Sequence, residues 1–409
     1  MVTNDVAGLL DEARGLHAQT VALRRALHRR PEVGLRLPQT QQAVLGALAG
    51  LPLRVRTGTE VDSVVAVLDG ARPGRTVLLR GDMDALPMPE DTGLEFASAT
   101  PGVMHACGHD THVSMLVGAA RLLAARREGI AGRVVFMFQP GEEGYFGARH
   151  MLAEGLLDAD PPDAGAAEPV SGAFALHTTT QYPTGTVNLR PGPLLASSNV
   201  LRITVRGAGS HASAPHQGLD PIPVACEIVQ AIQTMVTRRF SVFDPVVVTI
   251  AQIVAGTTDN VIPAEARMLG TIRTLSETTR QAVHSQVARL AEGVAAAHGL
   301  SAEVEISDGY PATVNDAGAA ELLSSAAAGV IGGESVTVME APLMGSEDWS
   351  YVLQQVPGAM AFLGACPPDQ EPGKAPGNHS NKVVFDEDAM AAGVATYAGV
   401  ALRHLAQPD

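Results

Sequence analysis

The sequence has 409 residues, with 43 acidic against 28 basic for a formal charge of −15, and only 4% of it is aromatic. That balance excludes the basic stripes a phosphate-backbone binder needs, and so few rings exclude a base-stacking platform for single strands. Apolar residues make up 46%, enough for about two or three packed cores and too many for a disordered chain.

No apolar run reaches the roughly 18 residues that mark a membrane-spanning helix. The N-terminal stretch 5–29 reads as an amphipathic helix rather than a signal peptide, with Leu9, Leu10, Leu16, Val21, Leu23 and Leu27 on its apolar face. Three scattered cysteines, Cys107, Cys226 and Cys366, are too few for a disulfide framework, so the expected location is the cytoplasm. Short β-rich runs follow at Ser63–Leu68, Thr76–Arg80, Arg133–Phe138 and Ala173–His177, with a helical stretch at Val113–Arg127 between them. Strands alternating with helices predict a mostly parallel α/β sheet covered on both faces.

The rhythm changes in the middle of the chain. Strand Asn199–Arg206, helix Asp220–Arg238, strands Val246–Ile253 and Glu265–Leu275, helix Glu277–His298 and strand Ala302–Ile306 spell the β-α-β-β-α-β order of a ferredoxin-like domain. Helix–strand alternation then returns through Ala319–Ala328, Val336–Glu340, Ala359–Gly364 and Glu387–His404. The expected layout is one α/β domain, 1–193 and 309–409, split by an inserted domain at 194–308.

In an open α/β sheet, ligands bind beyond the carboxyl ends of the strands, and chemistry collects there. Gly81-Asp82-Met83-Asp84 follows one strand, Gln139-Pro140-Gly141-Glu142-Glu143-Gly144 another, and His177 ends a third. The stretch 105–112 holds three histidines, Cys107 and Asp110, with Gly108 allowing a tight turn, and Gly377-Asn378-His379 lies in a late loop. Imidazole, thiolate and carboxylate are the donors a borderline-soft divalent cation takes. The plain alternatives are a buried structural thiol for Cys107 and two solvated carboxylates for Glu142 and Glu143. If one of that pair holds a cation, the other can serve as general base. The Gly-rich segment around Ser210-His211 reads as a ligand-approaching loop or a simple connection, and Asn260 and Arg273 read as structural. His17, His284, His298 and His404, on helices, read as structural too. No dinucleotide or phosphate-loop fingerprint and no nucleophile elbow is found.

The segments LRRALHRRPEVG (23–34), RGDMDALPMPEDTG (80–93), MHACGHDTHVSMLVGAA (104–120), VVFMFQPGEEG (134–144), GAGSHASAPHQGLDP (207–221), NVIPAEARMLGTIRTL (260–275) and MGSEDWSYVL (344–353) occur in this order. Together they resemble the aminoacylase/carboxypeptidase metallopeptidase family over nearly the whole chain, and most of all its hippurate hydrolase and indole-acetyl-amino-acid hydrolase branch. The resemblance implies a phosphorylase/aminopeptidase-like catalytic domain with an inserted ferredoxin-like lid or dimerisation domain. It implies two divalent metal ions, zinc or manganese foremost and cobalt or nickel also suited. Their ligands would be Cys107, His109, Glu143, His177 and His379, with Cys107 as the bridge. Asp84 takes the position of an acid behind the metal site, Glu142 that of the general acid/base, and His211 that of an oxyanion donor, which in dimeric relatives serves the neighbouring subunit. Asn260 and Arg273 are implied partners of the substrate's carboxylate or carbonyl. The implied partners are an N-acyl amino acid substrate and a second copy of the chain, with neither nucleic acid nor membrane. A dipeptidase or aminopeptidase on the same scaffold, and a catalytically silent carboxylate-binding homologue, are the competing expectations. The segments TTTQYPTG after His177 and GNHSNKVVFDE around His379 depart from the family pattern and keep both histidines.

Overall fold

The apolar runs become the inner strands of a mixed eight-stranded sheet in the computed structural model, which describes Val6, residues 8–158 and residues 168–407. The expected first helix therefore begins outside the described residues in part; its described portion is Leu9–His28. Two compact units form, one from Met1–Leu194, Val314–Ala341 and Tyr351–Asp409, the other from Leu195–Thr313 and Pro342–Ser350.

In the first unit the strands lie in the order Arg54–Thr57, Val64–Asp69, Ala131–Gln139, Arg72–Asp82, Val170–Pro183, Gly358–Cys366, Val187–Leu189, Val336–Val338. The four central strands run parallel, and antiparallel pairs occur towards the edges. Every residue of Gly358–Cys366 is buried, as expected of a parallel strand covered on both faces. Phe136, Phe138 and Phe174 are almost fully enclosed, each contributing roughly 1.5–3 kcal/mol of burial.

Helices Leu9–His28, His109–Ala125, Ala317–Ile331 and Ala389–Leu405 pack on one another. At Gly393 a Cβ would stand 2.1 Å from the Met115 sulfur, so any larger residue there would have to displace that buried side chain. The Tyr397 hydroxyl, on the same helix as Gly393, donates to the Arg80 carbonyl (2.6 Å) and accepts from the Leu176 N–H (2.9 Å). It replaces the ladder bonds where strands Arg72–Asp82 and Val170–Pro183 part, after the Arg80–Ala175 pair. That parting opens the carboxyl end of the sheet.

The second unit holds a four-stranded antiparallel sheet in the order Val247–Ala255, Glu265–Arg273, Asn199–Arg206, Ser301–Asp308, with helices Pro221–Arg239 and Glu277–Ala297. Asn199–Arg206 alternates buried and exposed residues, so one face of the sheet is packed and the other open. Leu201, Ile203 and Val205 point into a core with Ile228, Ile232, Val283 and Val287. The helices start where their caps dictate: Asp220 accepts from the Ile222 N–H and Ser276 from the Thr279 N–H. The excursion Pro342–Ser350 carries the single tryptophan, Trp349, fully buried. No helix among the described residues is long and apolar enough to cross a membrane.

Candidate metal centre

Five stretches of the first unit bring polar side chains to the open end of its sheet. Asp82 closes strand Arg72–Asp82, Gln139 closes Ala131–Gln139, and Glu142 and Glu143 sit in the loop just beyond. The run 105–108 leads into helix His109–Ala125, with Gly108 at φ +84° before its first residue. A side chain there would be strained and would press within 3.0 Å of the Phe385 ring. Strand Val170–Pro183 does not end at His177 as expected; it continues for six residues, and His177 lies within it. His379 sits in a loop with a left-handed backbone, φ +68°, and its N–H donates to the Ala106 carbonyl at 2.9 Å.

The donor atoms of Cys107, His109 and His177 all lie within 4.8 Å of one another, as do those of Cys107, Glu143 and His379, and those of His109, Glu142 and Glu143. Cys107 is common to the first two groups. Its sulfur is 3.4 Å from His177 Nε2, while His379 Nε2 is 3.1 Å from Glu143 Oε1. Each imidazole is aimed by a bond behind it. His109 Nδ1 bonds the Asp84 carbonyl (2.8 Å) and His177 Nδ1 bonds the Thr178 carbonyl (2.9 Å), leaving both Nε2 atoms facing the cluster.

The Asp84 carboxylate stands 3.5 Å from His109 Nδ1, beside the carbonyl of the same residue that aims that ring. It accepts the consecutive N–H groups of Glu142 and Glu143, both at 2.9 Å, and so fixes where the two acids stand; the His109 ring is aimed chiefly by the Asp84 carbonyl. Glu142, only 6% exposed, is thereby held beside the other donors.

Charge in this enclosure is out of balance. Burial drives the His177 imidazole well below its ordinary pKa, helped by His112, so it is neutral with a lone pair to offer. Burial and the charge of Glu143 push the Cys107 thiol up. Hydrogen bonds to Cys107 and Glu143 raise His379 to about 10. Burial works against the Glu143 carboxylate, but the His379 hydrogen bond and the charge of His109 outweigh it and hold its pKa low. His109 Nε2 lies 3.2 Å from Asp82 Oδ2 and 4.0 Å from Glu143 Oε1, with all these atoms shut off from solvent. Sulfur, nitrogen and oxygen donors converging within 4.8 Å of one another in a buried space fit divalent cations of the zinc type.

Asp82, His112, Thr178 and Asn378 carried no role in the sequence reading. The Thr178 N–H donates to His112 Nε2 (2.8 Å), so His112 holds its proton on Nδ1 and donates it to Asp82 (2.5 Å). His112 is therefore bonded at both nitrogens. Its spacing of three from His109 on one helix face was the signal available for it. Among the other histidines, His404 is buried and bonds Ser171 Oγ, and His298 pairs with Glu227 on the surface.

His211, Asn260 and Arg273 belong to the second unit. His211 lies in a two-stranded ribbon, opposite Val261, and the Asn260 carbonyl accepts from the neighbouring Ala212 N–H (3.0 Å). His211 Nδ1 accepts the Ser213 N–H at 3.1 Å, so the neutral ring carries its proton on Nε2. Arg273 ends strand Glu265–Arg273 and bonds Thr271 Oγ1 and the Ile272 carbonyl; burial lowers its pKa.

A mostly parallel sheet whose open end gathers a thiol, imidazoles and paired carboxylates is the frame of a metal-dependent hydrolase. The chain belongs to peptidase family M20/M25/M40, whose model matches residues 78–403. It is 36% identical over 402 residues to thermostable carboxypeptidase 1 of Saccharolobus solfataricus, covering 97% of this chain and 98% of that one. It is 34% identical over 390 residues to N-acetylcysteine deacetylase of Bacillus subtilis, covering 95% and 97%. Among solved structures it resembles a dinuclear metal-binding M20 peptidase from Bacillus subtilis at 32% identity, covering 96% of this chain and 99% of that one, with a TM-score of 0.82.

Proposed function

We propose that this protein is a dinuclear metal-dependent amidohydrolase that cleaves N-acyl or N-aroyl amino acids, hippurate-like compounds among them. The observation that carries the reading is the sharing of Cys107 between two donor groups, with Glu142 held alongside by Asp84. Cys107, His109, Glu143, His177 and His379 are the residues that would hold the two cations, zinc or manganese foremost, with cobalt and nickel also suited. Such ions supply Lewis acidity, lowering the pKa of a coordinated water to about 7 and polarising an amide carbonyl.

The chain's own groups then have defined tasks. The Glu142 carboxylate takes the proton of the attacking water and returns it to the departing amino-acid nitrogen. Asp84 keeps that carboxylate in place. His211, its proton set on Nε2 by the Ser213 N–H, is the proposed donor to the developing oxyanion, with the second unit acting as a ferredoxin-like lid and dimerisation domain. The antiparallel strand order and flanking helices of that unit support the reading. Arg273 and Asn260 are proposed to meet the substrate's free carboxylate or carbonyl.

The relatives named as a carboxypeptidase and a deacetylase share one demand, an amide whose nitrogen side bears an amino acid with a free carboxylate. A dipeptidase or aminopeptidase would demand a free amine instead. The test is a hydrolysis panel of hippurate, N-acetyl and indole-acetyl amino acids and dipeptides, run on metal-loaded wild type and Glu142→Ala. The N-acyl substrates are expected to turn over, and Glu142→Ala to lose hydrolysis by at least about 100-fold while keeping its metal. Full activity in Glu142→Ala, or turnover confined to free-amine dipeptides, would overturn the proposal.

A further inference from the structure

Asn378 stands one residue before His379, and its side chain reaches into the network behind the metal centre. Its Nδ2 donates to the Thr178 carbonyl at 2.9 Å and to the Cys107 carbonyl at 3.1 Å, and lies 3.9 Å from Cys107 Sγ. All three neighbours are acceptors, so the amide must present its NH2 group to them and its oxygen elsewhere. The Thr178 carbonyl also takes the proton of His177 Nδ1, which is what leaves His177 Nε2 facing Cys107 at 3.4 Å. On the far side of the same residue, the Thr178 N–H is held by His112. A single amide thus bonds the segment carrying Cys107 and the segment carrying His177, and is itself covalently joined to His379.

We infer that Asn378 is a positioning residue for cation binding: its two amide N–H groups, given to the Thr178 and Cys107 carbonyls, clamp three donor-bearing segments into one arrangement beside the Cys107 sulfur. The inference rests on the reading of Cys107, His177 and His379 as cation donors. Two features call for such a clamp. These donors come from a turn, a strand and a late loop, far apart in sequence, and nothing local sets their mutual spacing. In addition, the left-handed backbone of His379 costs about 1–2 kcal/mol and persists only where its surroundings impose it.

The test uses the full chain loaded with cobalt(II), which reports its donors by absorption. Asn378→Leu keeps the size and removes both hydrogen bonds; Asn378→Ala is the second variant should Asn378→Leu not fold, with circular dichroism of the metal-free protein as the control. Wild type is expected to show the near-ultraviolet thiolate-to-cobalt band. The folded variant should shift that band and bind cobalt about 10–100-fold more weakly in competition with a chelator. A structural strap alone would lower the melting temperature and leave band and affinity unmoved, and that result would overturn the inference. Absence of the band in wild type would overturn the Cys107 reading itself, and this inference with it.

Discussion

Asp84 gives both oxygens of one carboxylate to two successive peptide N–H groups, at 2.9 Å each. An ionised carboxylate can do this because it is acceptor-only; an amide cannot, since one of its two heads is a donor. Asp84→Asn would therefore set an NH2 group against a peptide N–H and release part of the Glu142-Glu143 turn. Hydrogen bonds to a charged group contribute about 1.5–3 kcal/mol, and a shift of about 1 Å in a catalytic group lowers rate about 100-fold. We expect Asp84→Asn to lower kcat by about that factor with KM little changed, measured on the metal-loaded enzyme; an unaltered kcat would contradict the role. The acid itself was legible in the sequence as part of Gly81-Asp82-Met83-Asp84 at a strand end. Its partners were not, because they lie 58 and 59 positions along the chain and are backbone atoms, which have no sequence signature. The same limit hid Asn378: its acceptors are carbonyls.

Helix His109–Ala125 is held in place by the residue next to its first ligand candidate. Asp110, fully buried, accepts from Arg24 Nε (2.9 Å) and is 2.9 Å from His28 Nδ1; His28 Nε2 in turn lies 3.2 Å from Glu90. Helix Leu9–His28 is thereby locked to the start of the helix that carries His109. Burial by itself would depress the His28 pKa, but the charge of Asp110 and the hydrogen bonds that the imidazole donates to Asp110 and Glu90 outweigh it, raising it to about 9. A raised histidine stabilises the fold fully below its unfolded pKa of about 6.5, and that contribution is lost as pH climbs through about 9. Denaturant unfolding should show wild type losing up to about 3 kcal/mol more than His28→Gln between pH 6 and pH 10. Parallel pH profiles for the two would dismiss the account. Long elements with strong periodicity such as these were readable: Asn199–Arg206 matches its expected bounds, and the inner strands differ by a few residues. Helix Pro38–Leu48 and edge strand Arg54–Thr57 were not, since the first is short and weakly patterned and the second is exposed along its whole length.

At the scale of the molecule, two hydrophobic cores are built from different stretches of chain, one around Phe136, Leu363 and Val394, the other around Ile203, Ile228 and Val287. A change of periodicity near residues 194 and 308 was legible in the sequence. The return of Pro342–Ser350 to the second unit was not, because nothing in a nine-residue loop announces which core it joins. All five proposed cation donors lie in the first unit. A ligand that binds only the folded state stabilises it by about 4 kcal/mol when present at 1,000 times its Kd. Cations should therefore protect the first unit directly, since their binding energy is linked to the opening of the segments that supply donors. Hydrogen exchange followed by mass spectrometry, with and without a chelator, provides the measurement. We expect protection to fall around residues 81–84, 105–112, 139–145, 176–180 and 376–381 on metal removal. Strands Asn199–Arg206 and Glu265–Arg273 should keep theirs. Equal loss in both units would mean that the cations stabilise the molecule through something other than these donors, and unchanged exchange throughout would mean that these segments do not hold them.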